Sequence, residues 1–122
     1  VQGRENFLFR WPGNDYVDFL GMDSYHGLSP VVLTTNMNTL SRLSKELKKP
    51  CGVTETGVEG IQRDGVPEKN YWTQQILTPA TGQFVSMIVM WRNKYDPSES
   101  ESHFFSADLP DMYTMAEGMN VK

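Results

Sequence analysis

Three groups of polar or aromatic residues, each directly after an apolar run, contain the side chains best suited to chemistry. They are Glu55, Asp23-Ser24-Tyr25 and Trp91-Arg92-Asn93. The apolar runs are typical of strands inside a sheet, where an ionised carboxylate is costly to bury. Glu55, which lies between such a run and a glycine, therefore indicates a chemical site at the open end of its strand.

Each of these side chains also has a structural interpretation. Glu55 could pair with an arginine at the strand ends, and Asp23 could cap a loop. Tyr25 could pack with its hydroxyl bonded to backbone. Trp91 could belong to the core, although its flat apolar face and polar N–H also suit the C–H face of a sugar ring. Arg92 could serve only to neutralise nearby carboxylates.

Three strands and two helices are predicted to position these residues. The strands cover residues 16–22, a run beginning at Cys51, and residues 84–90. Leucines at positions 40, 43 and 47 predict an amphipathic helix from Asn36 to Lys48, capped by Asn36 or Asn38 and ended by Pro50.

A second helix is predicted from Glu68 to Leu77, closed by Pro79 and Gly82. Its buried side should hold Tyr71 or Trp72, with Ile76 and Leu77. The order strand, helix, strand, helix, strand predicts an α/β fold with parallel strands and crossover helices. The residues from about 94 onward are expected to form an irregular tail.

Composition and charge exclude several function classes. The 122 residues have a formal net charge of −4, and no basic block beyond Lys48-Lys49 suggests binding to nucleic acid or anionic lipid. Cys51 is the one cysteine, which excludes an internal disulfide. His26 and His103 lack partners at metal-ligand spacing, so no metal is expected.

No cofactor and no membrane span are expected either. A flavodoxin-like domain is disfavoured because no Gly-rich phosphate loop follows any strand. No apolar run approaches the roughly 18 residues that a membrane span requires. The chain begins at Val1 without an initiator methionine or signal peptide. Because three strands cannot close a barrel, it is expected to be part of a larger fold.

Four ordered segments resemble glycoside hydrolase family 26, which consists chiefly of endo-β-1,4-mannanases. WPGNDYVDFLGMDSY (11–25) resembles the run entering strand six, and KPCGVTETG (49–57) resembles strand seven. YWTQQIL (71–77) resembles the following helix, and WRN (91–93) the end of strand eight. The resemblance covers about Phe9 to Tyr113. It implies that residues 1–122 are the carboxyl-terminal part, units six to eight, of a (β/α)8 TIM-barrel catalytic domain.

The resemblance also implies a role for each candidate residue in a retaining glycosidase. Glu55 matches the nucleophile, and Tyr25 the tyrosine that hydrogen-bonds the nucleophile and keeps it ionised. Asp23 supports the same pocket. Trp91 matches the aromatic floor under the reacting sugar, and Arg92 the residue that reaches the next sugar toward the non-reducing end.

The acid/base glutamate of the family lies on strand four, outside this chain, so the isolated chain is expected to be inactive. The tail also departs from the family pattern, because His103 and Asp108 are nearly adjacent. The implied activity is hydrolysis of internal β-1,4-mannosidic bonds in a mannan-type polysaccharide by a secreted or cell-surface enzyme. Alternatives are a glycan-binding fragment without catalysis, or a family 26 enzyme for β-1,3-xylan or mixed-linkage β-glucan.

Overall fold

A three-stranded parallel sheet forms the centre of the computed structural model, which describes residues 3–58, 70–91, 93–94 and 104–105. Its strands are β1 (Leu20–Ser24), β2 (Cys51–Thr56) and β3 (Met87–Met90), in the order β1-β2-β3. Both pairings are parallel, as the sequence predicted. Within the predicted irregular tail, β4 (Asn93–Lys94) pairs antiparallel with β5 (Phe104–Phe105).

Helices connect and cover these strands. They are α1 (Arg4–Phe7), a 3-10 turn (Asn14–Tyr16), α2 (Pro30–Leu47), a π-helical segment (Trp72–Leu77) and α3 (Thr78–Ala80). Because helices connect the parallel strands, the chain returns to the same end of the sheet before each strand starts. The carboxyl ends of β1, β2 and β3 therefore meet on one side.

Helix α2 begins six residues before the predicted start. Pro30 occupies its first turn, where the missing N–H costs nothing, and Ser29 makes no side-chain cap bond. Asn36, predicted as a cap, is instead buried within the helix, and its Nδ2 donates to Ser24 Oγ at 2.9 Å. The end of helix α2 is close to the predicted end at Lys48. The helix stops at Leu47, and Lys48 adopts a left-handed φ of 57°.

The two outer strands are shorter than predicted. Strand β1 starts at Leu20 rather than at Tyr16, because Tyr16 lies in the exposed 3-10 turn. Strand β3 starts at Met87 rather than at Phe84. The exposed Phe84 ring lies 5.6 Å from Lys45 Nζ, a cation–π contact with helix α2.

The second helix differs in type from the prediction. Residues Trp72–Leu77 are π-helical, and Pro79 lies inside the following α3 instead of ending the helix. Pro79 has no N–H for the carbonyl four residues earlier, which removes one α-helical bond. Tyr71, Trp72 and Ile76 are buried as expected. The predicted first residues, Glu68 and Lys69, lie outside the described part of the chain.

The core lies between the helices and one face of the sheet. Leu20, Met22 and Ser24 are buried on that face, whereas Gly21 and Asp23 point to the other face and are exposed. Strand β1 is therefore buried on one face only, whereas Cys51, Gly52 and Val53 of β2 are all buried, so this part of the central strand is enclosed on both faces. The buried apolar residues are Leu20, Met22, Leu33, Met37, Leu40, Leu43, Cys51, Val53, Tyr71, Trp72, Ile76 and Ala80.

The open face of the sheet generates a prediction about association. Met87, Val89 and Trp91 are all exposed on β3 or directly after it, and β1 and β3 are the outer strands of the three-stranded sheet. We expect the isolated 122-residue chain to be marginally stable or to self-associate. Analytical ultracentrifugation and thermal unfolding test this, and a monodisperse monomer with a sharp cooperative melt contradicts it.

A matched pair of substitutions locates the associating surface. Val89→Thr reduces the apolar area of the open face, and Val31→Thr makes the same change on the exposed side of α2. We expect Val89→Thr to reduce association and Val31→Thr to leave it unchanged. Equal effects of the two variants would assign the association to some other surface.

Candidate active site

The strand ends bring Asp23, Tyr25 and Glu55 together. Asp23 on β1 is the Cα partner of Glu55 on β2, and Tyr25 follows β1 directly. The Tyr25 hydroxyl donates to Glu55 Oε2 at 2.8 Å. Among the described residues, the partner found for Glu55 is therefore a phenol and not the arginine of the structural alternative. Likewise, the Tyr25 hydroxyl is bonded to a carboxylate rather than to backbone.

A second hydroxyl serves the other carboxylate. Thr54 Oγ1 donates to Asp23 Oδ1 at 2.8 Å. Asp23 lies within β1 itself, so it does not cap a loop. Each carboxylate thus accepts a hydrogen bond from a different hydroxyl, and these bonds fix the directions of the two side chains.

A β-bulge in β2 explains how Thr54 and Glu55 both reach this site. From Val53 to Thr56, β2 advances three residues while β1 advances two, from Met22 to Ser24. The same shift occurs against β3. Side chains of a regular strand alternate between faces, so Thr54 and Glu55 would otherwise point in opposite directions. The extra residue places both on the open face, which is typical of bulges beside functional sites.

Gly21 provides the space that Thr54 needs. A Cβ atom at position 21 would lie 2.6 Å from Thr54 Cγ2. No side chain larger than hydrogen therefore fits there unless Thr54 moves. Because Gly21 and Asp23 lie on the same face of β1, the Thr54 methyl group rests over Gly21 while its hydroxyl reaches Asp23.

Trp91 is fixed to the end of β2 through its backbone. Its N–H donates to the Thr56 carbonyl at 2.7 Å. Gly57 has a φ of 153°, and a Cβ atom there would lie 2.3 Å from the Trp91 carbonyl oxygen. The Trp91 side chain is 44% exposed, so it is not the core residue of the structural alternative.

The electrostatic environment keeps Tyr25 a hydrogen-bond donor. Burial of the phenol, its hydrogen bond to Glu55, and the charges of Glu55 and Asp23 raise the pKa of Tyr25 to about 12. Since the Tyr25 side chain is 51% exposed, water weakens these effects without reversing them. The phenol therefore keeps its proton at neutral pH and donates a hydrogen bond to Glu55 Oε2.

Behind the site, His26 has contacts typical of a structural histidine. Its Nδ1 lies 3.2 Å from the Ser24 carbonyl oxygen and 3.4 Å from Ser24 Oγ. Burial lowers the pKa of His26, while the hydrogen bond to the Ser24 carbonyl opposes that shift. In the part of the chain that the structure describes, no group of three or more His, Cys, Asp or Glu side chains could hold a metal ion.

Two of the residues singled out from the sequence, Arg92 and His103, lie outside the described residues. Sequence reasoning missed the contributions of Thr54, Gly57 and Gly21. Apolar periodicity contains no signal for a bulge, although three consecutive polar residues, Thr-Glu-Thr at positions 54–56, end the strand. In a regular half-buried strand, polar and apolar residues would alternate at these positions. The polar run was therefore the one sign of the bulge in the sequence.

The pKa of Tyr25 provides a test of the site geometry. Glu55→Ala removes the hydrogen bond and one of the charges but leaves burial, so the pKa of Tyr25 should fall part of the way from about 12 toward 10.0. The neutral phenol contributes stability below an unfolded pKa of about 10, and this contribution is lost as pH rises toward the folded pKa. NMR of 13Cζ-labelled tyrosine should show Tyr25 largely protonated at about pH 11 in the wild type and more ionised in the variant.

Glu46→Ala is the matched control, because Glu46 pairs with Arg4 and not with Tyr25. We expect it to leave the Tyr25 titration unchanged. An identical titration in Glu55→Ala and the wild type would mean that Tyr25 and Glu55 do not form this bond in solution.

The close approach of Gly57 to Trp91 predicts a specific effect of Gly57→Ala. The added methyl would collide with the Trp91 carbonyl and break the bond from the Trp91 N–H to Thr56. We expect a loss of about 1–3 kcal/mol in the free energy of unfolding, with a displaced indole N–H signal of Trp91 in the NMR spectrum. Gly82→Ala is the control, since Gly82 has a φ of 77° but open space around it. It should leave the Trp91 signal in place, and an equal displacement in both variants would contradict the proposed collision.

Comparison with known sequences and structures places this site in context. No protein-family model matches the chain, and no curated protein gives a significant match. Among solved structures, a GH26 β-mannanase from Bacteroides ovatus is 30% identical, with a TM-score of 0.71. The match covers 98% of this chain and 33% of the B. ovatus enzyme.

Two further matches are more distant in sequence. A modular endo-β-1,4-mannanase from Cellulomonas fimi is 24% identical, with a TM-score of 0.71, over 93% of this chain and 27% of its own. The catalytic domain of a GH26 endo-β-1,4-mannanase from Bacillus sp. JAMB-750 is 20% identical, with a TM-score of 0.70, over 93% of this chain and 34% of its own. At these identities the likeness shows the fold alone.

The chain thus spans about a third or less of the length of these three enzymes. Its parallel sheet with crossover helices matches the corresponding part of their TIM-barrel fold. Because the matches extend along nearly the whole chain, they confirm the resemblance that the sequence motifs indicated: the chain is similar to about a third of a β-mannanase of glycoside hydrolase family 26.

Proposed function

We propose that this chain supplies the nucleophile half of the active site of a retaining glycoside hydrolase that cleaves internal β-1,4-mannosidic bonds. In this proposal, β1, β2 and β3 are strands six, seven and eight of a (β/α)8 barrel. The observation that carries the proposal is the bond from Tyr25 Oη to Glu55 Oε2, 2.8 Å long, at the carboxyl ends of parallel strands. Active sites of such barrels lie at that end.

Glu55 is the nucleophile. Tyr25 holds Oε2, which leaves Oε1 to attack the anomeric carbon of the sugar. The bond between Oε1 and the anomeric carbon forms as the bond from that carbon to the leaving oxygen breaks, and the acid/base outside this chain gives its proton to that oxygen. Water then gives a proton to the same acid/base, attacks the anomeric carbon and releases Glu55, so that two inversions give net retention. A phenol with a pKa near 12 stays protonated throughout, and so keeps Oε2 in position.

Trp91, Asp23 and Arg92 bind the substrate. The exposed Trp91 ring forms the floor under the reacting sugar, because its flat apolar surface suits the C–H face of a pyranose. Asp23 lies beside Glu55 on the same face and offers carboxylate oxygens to sugar hydroxyls. Arg92 reaches the next sugar toward the non-reducing end, an assignment that rests on the sequence motif alone.

The acid/base is a carboxyl group outside this chain. General acid help is typically worth about 10²–10⁴ in rate, so the isolated chain is proposed to lack substantial hydrolytic activity. The remaining part of the barrel would also cover the exposed face of the sheet.

A mannan-type polysaccharide is the proposed substrate, because the 30% identical B. ovatus enzyme is a β-mannanase. No cofactor or metal is required by a mechanism that uses two carboxyl groups. A polymeric substrate that does not enter cells supports a secreted or cell-surface location. None of the described helices combines the length and hydrophobicity needed to cross a bilayer.

Glu55→Ala tests this function in the longer protein that contains both residues 1–122 and the acid/base. The variant should bind mannan, because Trp91 still provides a stacking surface, but it should have almost no turnover of an activated aryl β-mannoside. Azide should then restore part of the turnover, because a small anion can enter the space left by the carboxylate. The product should be a glycosyl azide of inverted configuration, which proton NMR identifies.

Glu46→Ala is the control, because it removes an exposed carboxylate from α2 and should leave turnover unchanged, without any response to azide. More than roughly a tenth of wild-type turnover in Glu55→Ala would show that Glu55 is not the nucleophile. Mannan binding without any wild-type turnover would favour the glycan-binding alternative. Turnover of β-1,3-xylan or mixed-linkage β-glucan in place of mannan would reassign the substrate.

A further inference from the structure

The β-bulge adds one residue to the site face, and that residue is Thr54. We infer that Thr54 is a positioning residue, which holds the carboxylate of Asp23 in its substrate-binding direction. The inference rests on the proposed function of the site. It assigns Thr54 no contact with the reacting atoms, since its hydroxyl acts through Asp23 Oδ1 at 2.8 Å.

The Thr54 side chain is held by shape as well as by hydrogen bonding. Threonine is branched at Cβ, so few χ1 angles are open to it. The methyl group occupies the space over Gly21, where a Cβ atom would be 2.6 Å away. With the methyl placed there, the hydroxyl points to Asp23. Gly21 and Asp23, two residues apart on β1, therefore contact the two branches of one side chain.

This arrangement determines which oxygen of Asp23 meets the substrate. Oδ1 accepts the bond from Thr54, so Oδ2 is left for a sugar hydroxyl. Asp23 is exposed on the open face, and without an anchor its side chain would rotate among staggered conformations. A fixed carboxylate binds a hydroxyl with a smaller loss of side-chain entropy. Thr54 thus contributes to substrate orientation without touching the sugar.

Two substitutions of Thr54 distinguish the effect of its hydroxyl group from the effect of its branched shape. Thr54→Val keeps both branches but cannot donate to Asp23, whereas Thr54→Ser keeps the hydroxyl and loses the methyl. In the mannanase, we expect Thr54→Val to lower kcat/KM for manno-oligosaccharides by roughly 10- to 100-fold. Thr54→Ser should retain most of the wild-type value, and both variants should unfold at similar denaturant concentrations.

A double-mutant cycle with Asp23→Ala tests whether Thr54 acts through Asp23. If it does, Thr54→Val should add little to the loss already caused by Asp23→Ala. The inference is wrong if Thr54→Val is as active as the wild type, or if the two losses multiply. Neither of those results affects the role of Glu55, which the azide experiment tests separately.

Gly21→Ala provides a second test through the methyl contact. The added carbon collides with Thr54 Cγ2, so the variant should displace the Thr54 side chain and lower kcat/KM. Combining Gly21→Ala with Thr54→Ser removes the colliding methyl and leaves the hydroxyl oxygen 3.2 Å from the added carbon, so it should restore part of the lost activity. Failure of this suppression would overturn the proposed contact between Gly21 and Thr54.

A structural readout covers the case in which the protein proves not to be a mannanase. Crystal structures of the Thr54→Val and Thr54→Ser variants show the position of the Asp23 carboxylate directly. We expect it to stay in place in Thr54→Ser and to rotate away in Thr54→Val. An unmoved Asp23 in Thr54→Val would refute the positioning role, whatever the activity of the protein.

Discussion

The constraint on which the candidate site depends is the pairing of β2 with a neighbour on each side. Val53 and Thr56 are both fully buried on the helix-facing side, and they align with buried residues of β1 on either side of the bulge. A one-residue slip of β2 would turn this buried set toward the open face. The core therefore fixes the register before and after the extra residue, and Thr54 and Glu55 must both occupy the open face. In this way, packing on one side of the sheet determines the chemistry on the other.

The same register brings two carboxylates to paired positions on neighbouring strands. Glu55 and Asp23 would repel each other if both were ionised. Each accepts a hydrogen bond from a different hydroxyl, Glu55 from Tyr25 and Asp23 from Thr54. In the exposed sheet of this chain, water and salt screen the repulsion. In a closed barrel with less water, both the repulsion and the two hydrogen bonds become stronger. The two hydroxyls are thus most important when the site is complete.

The sequence was sufficient to predict the parallel α/β order. It also singled out Asp23, Tyr25 and Glu55 because each follows an apolar run, and the structure brings these three side chains together at the carboxyl ends of β1 and β2. The sequence was not sufficient for features that depend on contacts between distant segments. The bulge in β2 arises from pairing on two sides, and apolar periodicity within one strand does not contain that information. Helix α2 extends back to Pro30 because Leu33 and Met37 in its first turns are fully buried in the core, and the hydroxyls of Thr34 and Thr35 donate to carbonyl oxygens one turn before them, at 2.8 and 2.9 Å. In the sequence alone, these threonines favour the prediction of a loop, because threonine hydroxyls often bond to nearby backbone in turns.

The open face of the sheet links the stability of the chain to its proposed activity. Met87 and Val89 are exposed on the same face as Asp23 and Glu55, so whatever covers the apolar residues also encloses the carboxylates. A segment that binds this face only when the sheet is folded stabilises the folded form by mass action. It also excludes water from the strand ends, where the hydrogen bond from Tyr25 to Glu55 then gains strength. In the proposed barrel, completion of the fold and completion of the site are therefore the same event, and an acid/base delivered on the covering segment would be present only when Glu55 is already held in place.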